Sequence, residues 1–543
     1  MAPVSARDGR KLNILMVLTD QEQSLASWPE GLLEKLPAHR ELLERGLLVE
    51  NYHVQTTPCS PSRSTIFSGH HTQKTGVYQN TDTPPNPVFA DSMPTLGTML
   101  RAAGYYTSYK GKWHLAQINK ERDWNQVPRG LYPNTKDAME RYGFHDYGFD
   151  GESVGLTWDG FRSDAFTAAD VGRAIFDFAR LDKAEGKPWF QVAGLVNPHD
   201  IMFYDATGHQ GEDRLHPDLL APLRREPADP IYETDNGFPL PESFYKDDLS
   251  TKPEAHSGIV RQTDSFYGQI NRDDEASWKR FVNYYYNCIR DVDRRLGEIL
   301  WALKESGQME NTIIIYTSDH GERAGAHGMH QKAGTIYREE VNVPMIIVHP
   351  DYPGGRRTKR LMSAIDIAPT LMAFAGTTAE EVEAQFPGLP GIDLSGMVAD
   401  PSTPSERDRR GHLFDYAVAY MWEPLGKFAN YPKAVEGLDK VFDMSKRRLH
   451  RGVHDGRWKF ARYFAPSQHH LPTDWETLSR LNDLELYDTE ADPHELVNLA
   501  LDPAQRDNVM RLNAMVNALV ALEVGRDDGS EYPGDVAIYN QVA

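Results

Sequence analysis

The sequence predicts an α/β protein, with a catalytic unit over residues 1–390 and a smaller α+β subdomain with a tail over residues 391–543. Three observations carry this. Short apolar runs, Asn13 to Leu18, Trp189 to Val196 and Thr312 to Thr317, have the pattern of strands buried on both faces. Stretches of helical period lie between them, the strongest from Trp278 to Glu305 with Phe281, Tyr285, Cys288, Val292, Leu296, Ile299 and Leu303 on one stripe. The alternation fades near residue 390. Beyond it, segments such as Arg451 to Phe464 and Leu484 to Asp488 read as strands of a small antiparallel sheet, packed by a helix from Pro503 to Glu523. At 543 residues the chain exceeds one typical core, in keeping with two units.

Taken in order, the first strand ends in Asp20-Gln21. In parallel sheets ligands bind beyond the carboxyl ends of strands, so these two side chains stand where chemistry is done. Leu32 to Arg45 reads as an amphipathic helix closed by Gly46, and Leu47 to Val54 as a strand. That strand leads to Thr57-Pro58-Cys59-Ser60-Pro61-Ser62-Arg63, a turn that opens a helix stopped by Gly69. Pro61 suits a first helical turn, and Cys59 falls at the helix start, where free amides favour an anion. Arg63, one turn on, reaches the same anion. Cys-x-Pro-Ser-Arg fixes four residues, so at ~5% each it arises by chance in only about three chains per thousand of this length.

The loop from His70 to Asn80 leaves its histidine pair unassigned and makes Asn80 a candidate substrate contact. Ser92 to Ala103 is a helix stopped by Gly104, and Tyr105 to Tyr109 a strand followed by Gly111-Lys112-Trp113-His114-Leu115. After a helix from Ala168 to Leu181, the next buried strand ends in Asn197-Pro198-His199-Asp200. Residues 201–276 lose periodicity and read as a cap over the site, because so long an irregular stretch in a compact domain is usually functional. Thr312 to Thr317 ends in Ser318-Asp319-His320-Gly321-Glu322, an echo of Asp20-Gln21. Two strand ends thus offer hard oxygens and one imidazole, a donor set for a divalent ion. Lys332 follows in a Gly-rich loop, Val343 to Val348 is a strand, and Asp366 to Thr370 opens a helix.

Net charge is −21, from 58 basic and 79 acidic residues, which argues against nucleic acid or anionic membrane as a partner. An anionic substrate would need a locally positive site. The apolar runs are too short to span a bilayer, and the N-terminus lacks the apolar core of a signal peptide. The two cysteines, Cys59 and Cys288, make no disulfide framework, and Cys288 reads as core. Together these features predict a cytoplasmic protein.

The motifs at Asp20-Gln21, Cys59 to Arg63, Gly111 to Leu115, Pro198-His199, Asp319-His320-Gly321 and Lys332 resemble, over nearly the whole chain and in order, the formylglycine-dependent sulfatases of the alkaline-phosphatase superfamily. The resemblance implies an αβα sandwich with a large mixed central sheet. It implies conversion of Cys59 to formylglycine by a maturation enzyme, and one divalent metal held by Asp20, Gln21, residue 59, Asp319 and His320. Oxygen donors suit Ca²⁺ or Mg²⁺ and His320 admits Mn²⁺; calcium or manganese is expected ahead of magnesium. Arg63, Lys112 and Lys332 would neutralise sulfate oxygens, His199 with Lys332 would protonate the leaving oxygen, and His114 would take a proton from the second hydroxyl of the hydrated aldehyde.

Many sulfatases carry Asp-Asp and Asp-Asn as metal pairs, where this chain has Asp-Gln and Asp-His. That variant is similar to the branch of cytosolic choline-sulfatases, arylsulfatases and phosphonate monoester hydrolases, and the Gly-Lys-Trp-His motif favours a sulfatase. The expected activity is hydrolysis of small aryl or alkyl sulfate monoesters. The alternatives are a phosphonate monoester or phosphodiester hydrolase on the same site, and a catalytically silent anion-binding protein with unmodified Cys59. Aromatic residues including Tyr420 and Trp422 are candidate contacts for the leaving group. A homo-oligomer, dimer or tetramer, is expected, with the C-terminal tail tied down by a second subunit.

Overall fold

The computed structural model describes residues 11–83, 87–116, 139–148, 156–181, 183–214, 221–418 and 442–529. The large sheet is built from β1 (Asn13–Asp20), β2 (Leu47–His53), β3 (Tyr106–Gly111), β4 (Asp146–Gly148), β5 (Trp189–Pro198), β6 (Thr312–Ser318), β7 (Met345–Val348) and β8 (Arg356–Ser363). Their spatial order is β4-β3-β5-β1-β6-β7-β2-β8. Neighbours run parallel except around β7, which is antiparallel to both β6 and β2, so the sheet is mixed. β1 lies in the middle, parallel to β5 and β6, and all eight of its residues are buried.

The principal helices are α1 (Pro37–Arg45), α2 (Cys59–Ser68), α3 (Asp159–Arg180), α4 (Glu254–Tyr267), α5 (Glu275–Glu305), α6 (Ile367–Phe374) and α7 (Arg506–Leu519). Successive residues of β1 serve opposite faces of the sheet. Leu15 and Val17 pack with Val171 and Ile175 of α3, Leu296 and Ile299 of α5, and Leu42 of α1. Ile14, Met16 and Leu18 pack with Ile66 and Phe67 of α2 and Ile367 and Leu371 of α6. Both faces are therefore covered by helices, as the αβα expectation required. Every predicted stripe residue of α5, Phe281 through Leu303, is buried.

A separate four-stranded antiparallel sheet has the order β12-β11-β10-β9, from β9 (His412–Tyr416), β10 (Leu449–His454), β11 (Trp458–Phe464) and β12 (Asp483–Asp488). α7 covers it through Val509, Leu512 and Val516 against Leu413, Val453, Phe460 and Leu486. A buried charge joins the two parts: Arg407 lies 2.6 Å from Asp366, at the start of α6, and 2.5 Å from Glu523, beyond α7. No helix among the described residues is long and apolar enough to cross a membrane.

Three local expectations are corrected. Leu32 to Arg45 is not one helix: a short 3₁₀ turn at Leu33–Lys35 precedes α1, which starts at Pro37. Proline has no N–H to continue the earlier turn but suits a first helical position. α3 begins at Asp159, well before Ala168, because the Asp200 carboxylate caps it from another segment, accepting from Gly160 N at 2.9 Å and Phe161 N at 2.8 Å. Residues 201–276 are not irregular throughout, since they contain α4. The buried side of α4 is Ala255, His256, Gly258, Ile259 and Thr263, too poor in large apolar residues to show a stripe.

Candidate active site

Topology lines the chemistry up along one edge. β3, β5, β1 and β6 are consecutive parallel strands, spaced about 4.8 Å apart. Their carboxyl ends carry Lys112, His199, Asp20-Gln21 and Asp319-His320 side by side. α2 enters from β2, and Cys59 is its first residue. Gly69, at φ 71°, ends the helix in a left-handed turn that a side chain would strain.

The Cys59 thiol is buried at the start of α2. Its Sγ lies 3.3 Å from His320 Nε2 and 3.6 Å from Asp20 Oδ1. Asp20 Oδ2 is 2.5 Å from Lys112 Nζ and 3.5 Å from Arg63 Nη2. Arg63 Nε donates to Asp319 Oδ2 at 2.7 Å, and its Nη1 donates to the Lys112 carbonyl at 2.8 Å. Arg63, Asp20, Asp319 and His320 are all fully buried. One ligand atom from each of Asp20, Cys59, Asp319 and His320 lies within 4.8 Å of every other. This donor set fits a divalent cation, and the chain prepares it: His320 Nδ1 is 2.9 Å from the Gly321 carbonyl, so Nδ1–H is engaged there and Nε2 is left with its lone pair toward the cluster.

Gln21 sits at φ 74°, a conformation rare outside glycine. Its N–H donates to Asp319 Oδ1 at 3.2 Å, and its carbonyl accepts from Tyr285 Oη at 2.8 Å. Its side-chain oxygen accepts from Lys332 Nζ, and its Nε2 donates to Glu322 Oε2 at 2.5 Å. Lys332 also touches Met202 Sδ at 3.8 Å, so the segment after His199 borders the Lys332 loop. His114 is likewise at positive φ, 58°, with Nε2 at 3.2 Å from Asp82 Oδ1 and its carbonyl accepting from Ser60 Oγ at 2.6 Å.

The charges shift one another. Burial pushes Asp20 up, but Lys112, His199, Lys332 and His320 outweigh it and hold the carboxyl well below the usual range. Burial also opposes the charge on Lys112, and the neighbouring Asp20 and Cys59 raise it despite that. His199 is driven well below the ordinary imidazole range by burial and then by Lys332 and Lys112, with Asp20 opposing. For His114, burial lowers and the hydrogen bonds to Asp82 and Cys59 raise, leaving it above its ordinary value.

All the residues expected from sequence at the centre, Asp20, Gln21, Cys59, Arg63, Lys112, His114, His199, Asp319, His320 and Lys332, fall within this buried edge. Asn80 spends its Oδ1 on the Ser60 amide, at 3.0 Å, and so holds the start of α2. Tyr420 and Trp422 lie outside the described residues. Sequence reasoning missed Asp82, Glu322 and Glu340. Buried Glu340 gathers Thr57 Oγ1 at 2.8 Å, Ala333 N at 2.7 Å and Arg323 Nη1 at 2.8 Å, tying the cysteine turn to the Lys332 loop. Nothing in its local sequence marks it. Glu322 stands in the Asp319 motif, but only the fold shows what it touches.

The family model described as Sulfatase matches residues 13–377. A choline-sulfatase of Rhizobium meliloti is 25% identical over 516 residues, covering 91% of this chain and 83% of the relative. An arylsulfatase of Volvox carteri is 23% identical over 526 residues, covering 92% and 73%. The solved structure of a 2-O GAG sulfatase shares the fold with a TM-score of 0.66 at 20% identity, over 98% of each chain. A phosphonate monoester hydrolase of Agrobacterium radiobacter does so with a TM-score of 0.62 at 21% identity, over 94% and 96%.

Proposed function

The chain belongs to the sulfatase family, and from that premise we propose that it hydrolyses small aryl or alkyl sulfate monoesters using a formylglycine made from Cys59. The observation that carries the reading is the position of the Cys59 thiol, at a helix start, 3.3 Å from His320 Nε2 and within the reach of Arg63 and Lys112. Asp20, Gln21, Asp319 and His320, with residue 59, would hold a divalent ion. Such an ion supplies Lewis-acid polarisation of the sulfate and acidifies the attacking hydroxyl. Residue 59, oxidised to an aldehyde and hydrated, offers one hydroxyl to attack sulfur and a second whose deprotonation expels sulfate.

The chain's own residues do the rest. Arg63, Lys112 and Lys332 face the non-bridging oxygens in a buried site, where each such contact contributes about 3 kcal/mol to the transition state. His114 takes the proton of the second hydroxyl, and its bond to Asp82 supports that basic role. Lys332 and His199 serve the leaving oxygen. Burial, and then the field of Lys332 and Lys112, keeps His199 neutral in the resting site, and an anionic ester seated between the lysines offsets their part of it. A phosphonate monoester or phosphodiester is the second reading, supported by the Asp-Gln and Asp-His pairs. Relative kcat/KM on sulfate and phosphonate esters separates the two.

The test is made at residue 59. Protein produced with a formylglycine-generating enzyme should carry a Cys59 peptide about 18 Da lighter than its thiol form. Cys59→Ala should be folded and inactive, and Cys59→Ser should turn over once at most, having no second hydroxyl. A native-like steady state from Cys59→Ser would sink the mechanism. An active enzyme whose Cys59 remains a thiol would do the same.

A further inference from the structure

Glu322 is fully buried, and no basic side chain pairs with it among the described residues. Its carboxylate instead collects three N–H groups: Ala324 N at 3.0 Å and Gln331 N at 2.6 Å on Oε1, and Gln21 Nε2 at 2.5 Å on Oε2. With Oε1 taken by two backbone N–H groups, Oε2 accepts from the Gln21 amide, so Gln21 turns its NH₂ toward Glu322. That rotation presents Oε1 on the other side, where it meets Lys332 Nζ. The Gln21 backbone is pinned at both ends by Asp319 and Tyr285, which leaves the amide rotation as the free choice. The same carboxylate grips Gln331 N, next to Lys332, and so seats the loop that carries the lysine.

We propose that Glu322 is a positioning residue. It selects the rotation in which Gln21 offers its carbonyl oxygen, not its NH₂, to the metal cluster and to Lys332. The proposal rests on the reading of Gln21 as a metal ligand. Its consequence is that the ligand set and the substrate-facing Lys332 are assembled by one buried carboxylate.

The experiment uses full-length protein stripped of metal and titrated calorimetrically with CaCl₂ and with MnCl₂, with melting of the metal-free protein measured alongside. In Glu322→Gln, an amide replaces an acceptor that three N–H donors surround, so one NH₂ faces another and the Gln21 amide turns over. Metal affinity should fall about tenfold to a hundredfold, the range for loss of a group that orients a ligand. The double variant Gln21→Glu with Glu322→Gln restores a donor–acceptor pair with its direction reversed, and should return affinity to within a few fold of the wild type. Equal losses of affinity in the single and double variants would assign Glu322 to loop anchoring alone and overturn the proposal. So would unchanged affinity in Glu322→Gln, even with a lower melting temperature. Wild-type protein that binds neither ion would remove the metal assignment and this proposal together.

Discussion

Lys112, His199 and Lys332 all lie close enough to Asp20 to shift it, and the proposed mechanism gives Lys112 different work from the other two. Lys112 is 2.5 Å from Asp20 Oδ2 and its charge is reinforced there. In the proposed mechanism it serves the non-bridging oxygens, which every ester presents, so Lys112→Ala should slow all substrates by a similar factor, on the order of 10²–10³. As the proposed partners of the leaving oxygen, His199 and Lys332 should matter in proportion to the leaving group's need for a proton. His199→Ala and Lys332→Ala should therefore depress alkyl sulfates far more than nitrophenyl sulfate, steepening the plot of kcat/KM against leaving-group pKa. His114→Ala should give a burst of alcohol and then a slow steady state, with a sulfated residue 59 visible by mass. One common slope for all four variants and no burst would mean these roles are misassigned.

At the level of elements, the site depends on how closely β3 and β5 approach at their carboxyl ends. Gly111 lies at φ 95°, opposite Gly194 in the register, and Lys112 N donates to the Gly194 carbonyl at 2.9 Å. A Cβ on Gly111 would stand 2.0 Å from that carbonyl oxygen, so the two backbones touch only because both residues are glycine. Gly111→Ala combines this clash with a strained φ. It should cost on the order of 3 kcal/mol of stability and swing Lys112 and His114 off the cluster. Urea denaturation and the kcat of the folded fraction would show both effects; a variant with wild-type stability and kcat would refute this account of the strand end. Asp200 acts between elements in another way. Burial raises its carboxyl to about 6, although the Phe161 and Gly160 amides it caps pull the other way.

His39 contributes a pH dependence to the stability of the whole molecule. This histidine of α1 lies 2.7 Å from Asp293 of α5 and 3.3 Å from Glu22, just past β1, so it ties three segments. Burial opposes its protonation, but the bonds to Asp293 and Glu22 prevail and raise it from 6.5 to about 9. Because the folded value lies above the unfolded one, the stabilisation is fully present below pH 6.5 and is lost as pH rises through about 9. The stability difference between wild type and His39→Gln should shrink by on the order of 3 kcal/mol between pH 6 and pH 10. Urea titrations of both proteins at those two pH values would measure it. A constant difference would show that His39 does not titrate with folding.

The buried strands, the helix opening at Cys59 and the α5 stripe were legible in the sequence, because hydrophobic period and turn residues are local signals of burial. So were the site residues that sit at strand ends, since parallel strands deliver whatever follows them to one edge. Asp319-His320 was found as an echo of Asp20-Gln21 for that reason. What one stretch of chain cannot encode is a partner supplied by another. The start of α3 is set by Asp200, the rotation of Gln21 by Glu322 about 300 positions away, the tilt of His114 by Asp82, and the join of the cysteine turn to the Lys332 loop by Glu340. Each is an acidic side chain of ordinary local sequence, buried in every case but Asp82. Its role exists only once folding has removed water and left the opposing N–H, hydroxyl or imidazole group with no other acceptor.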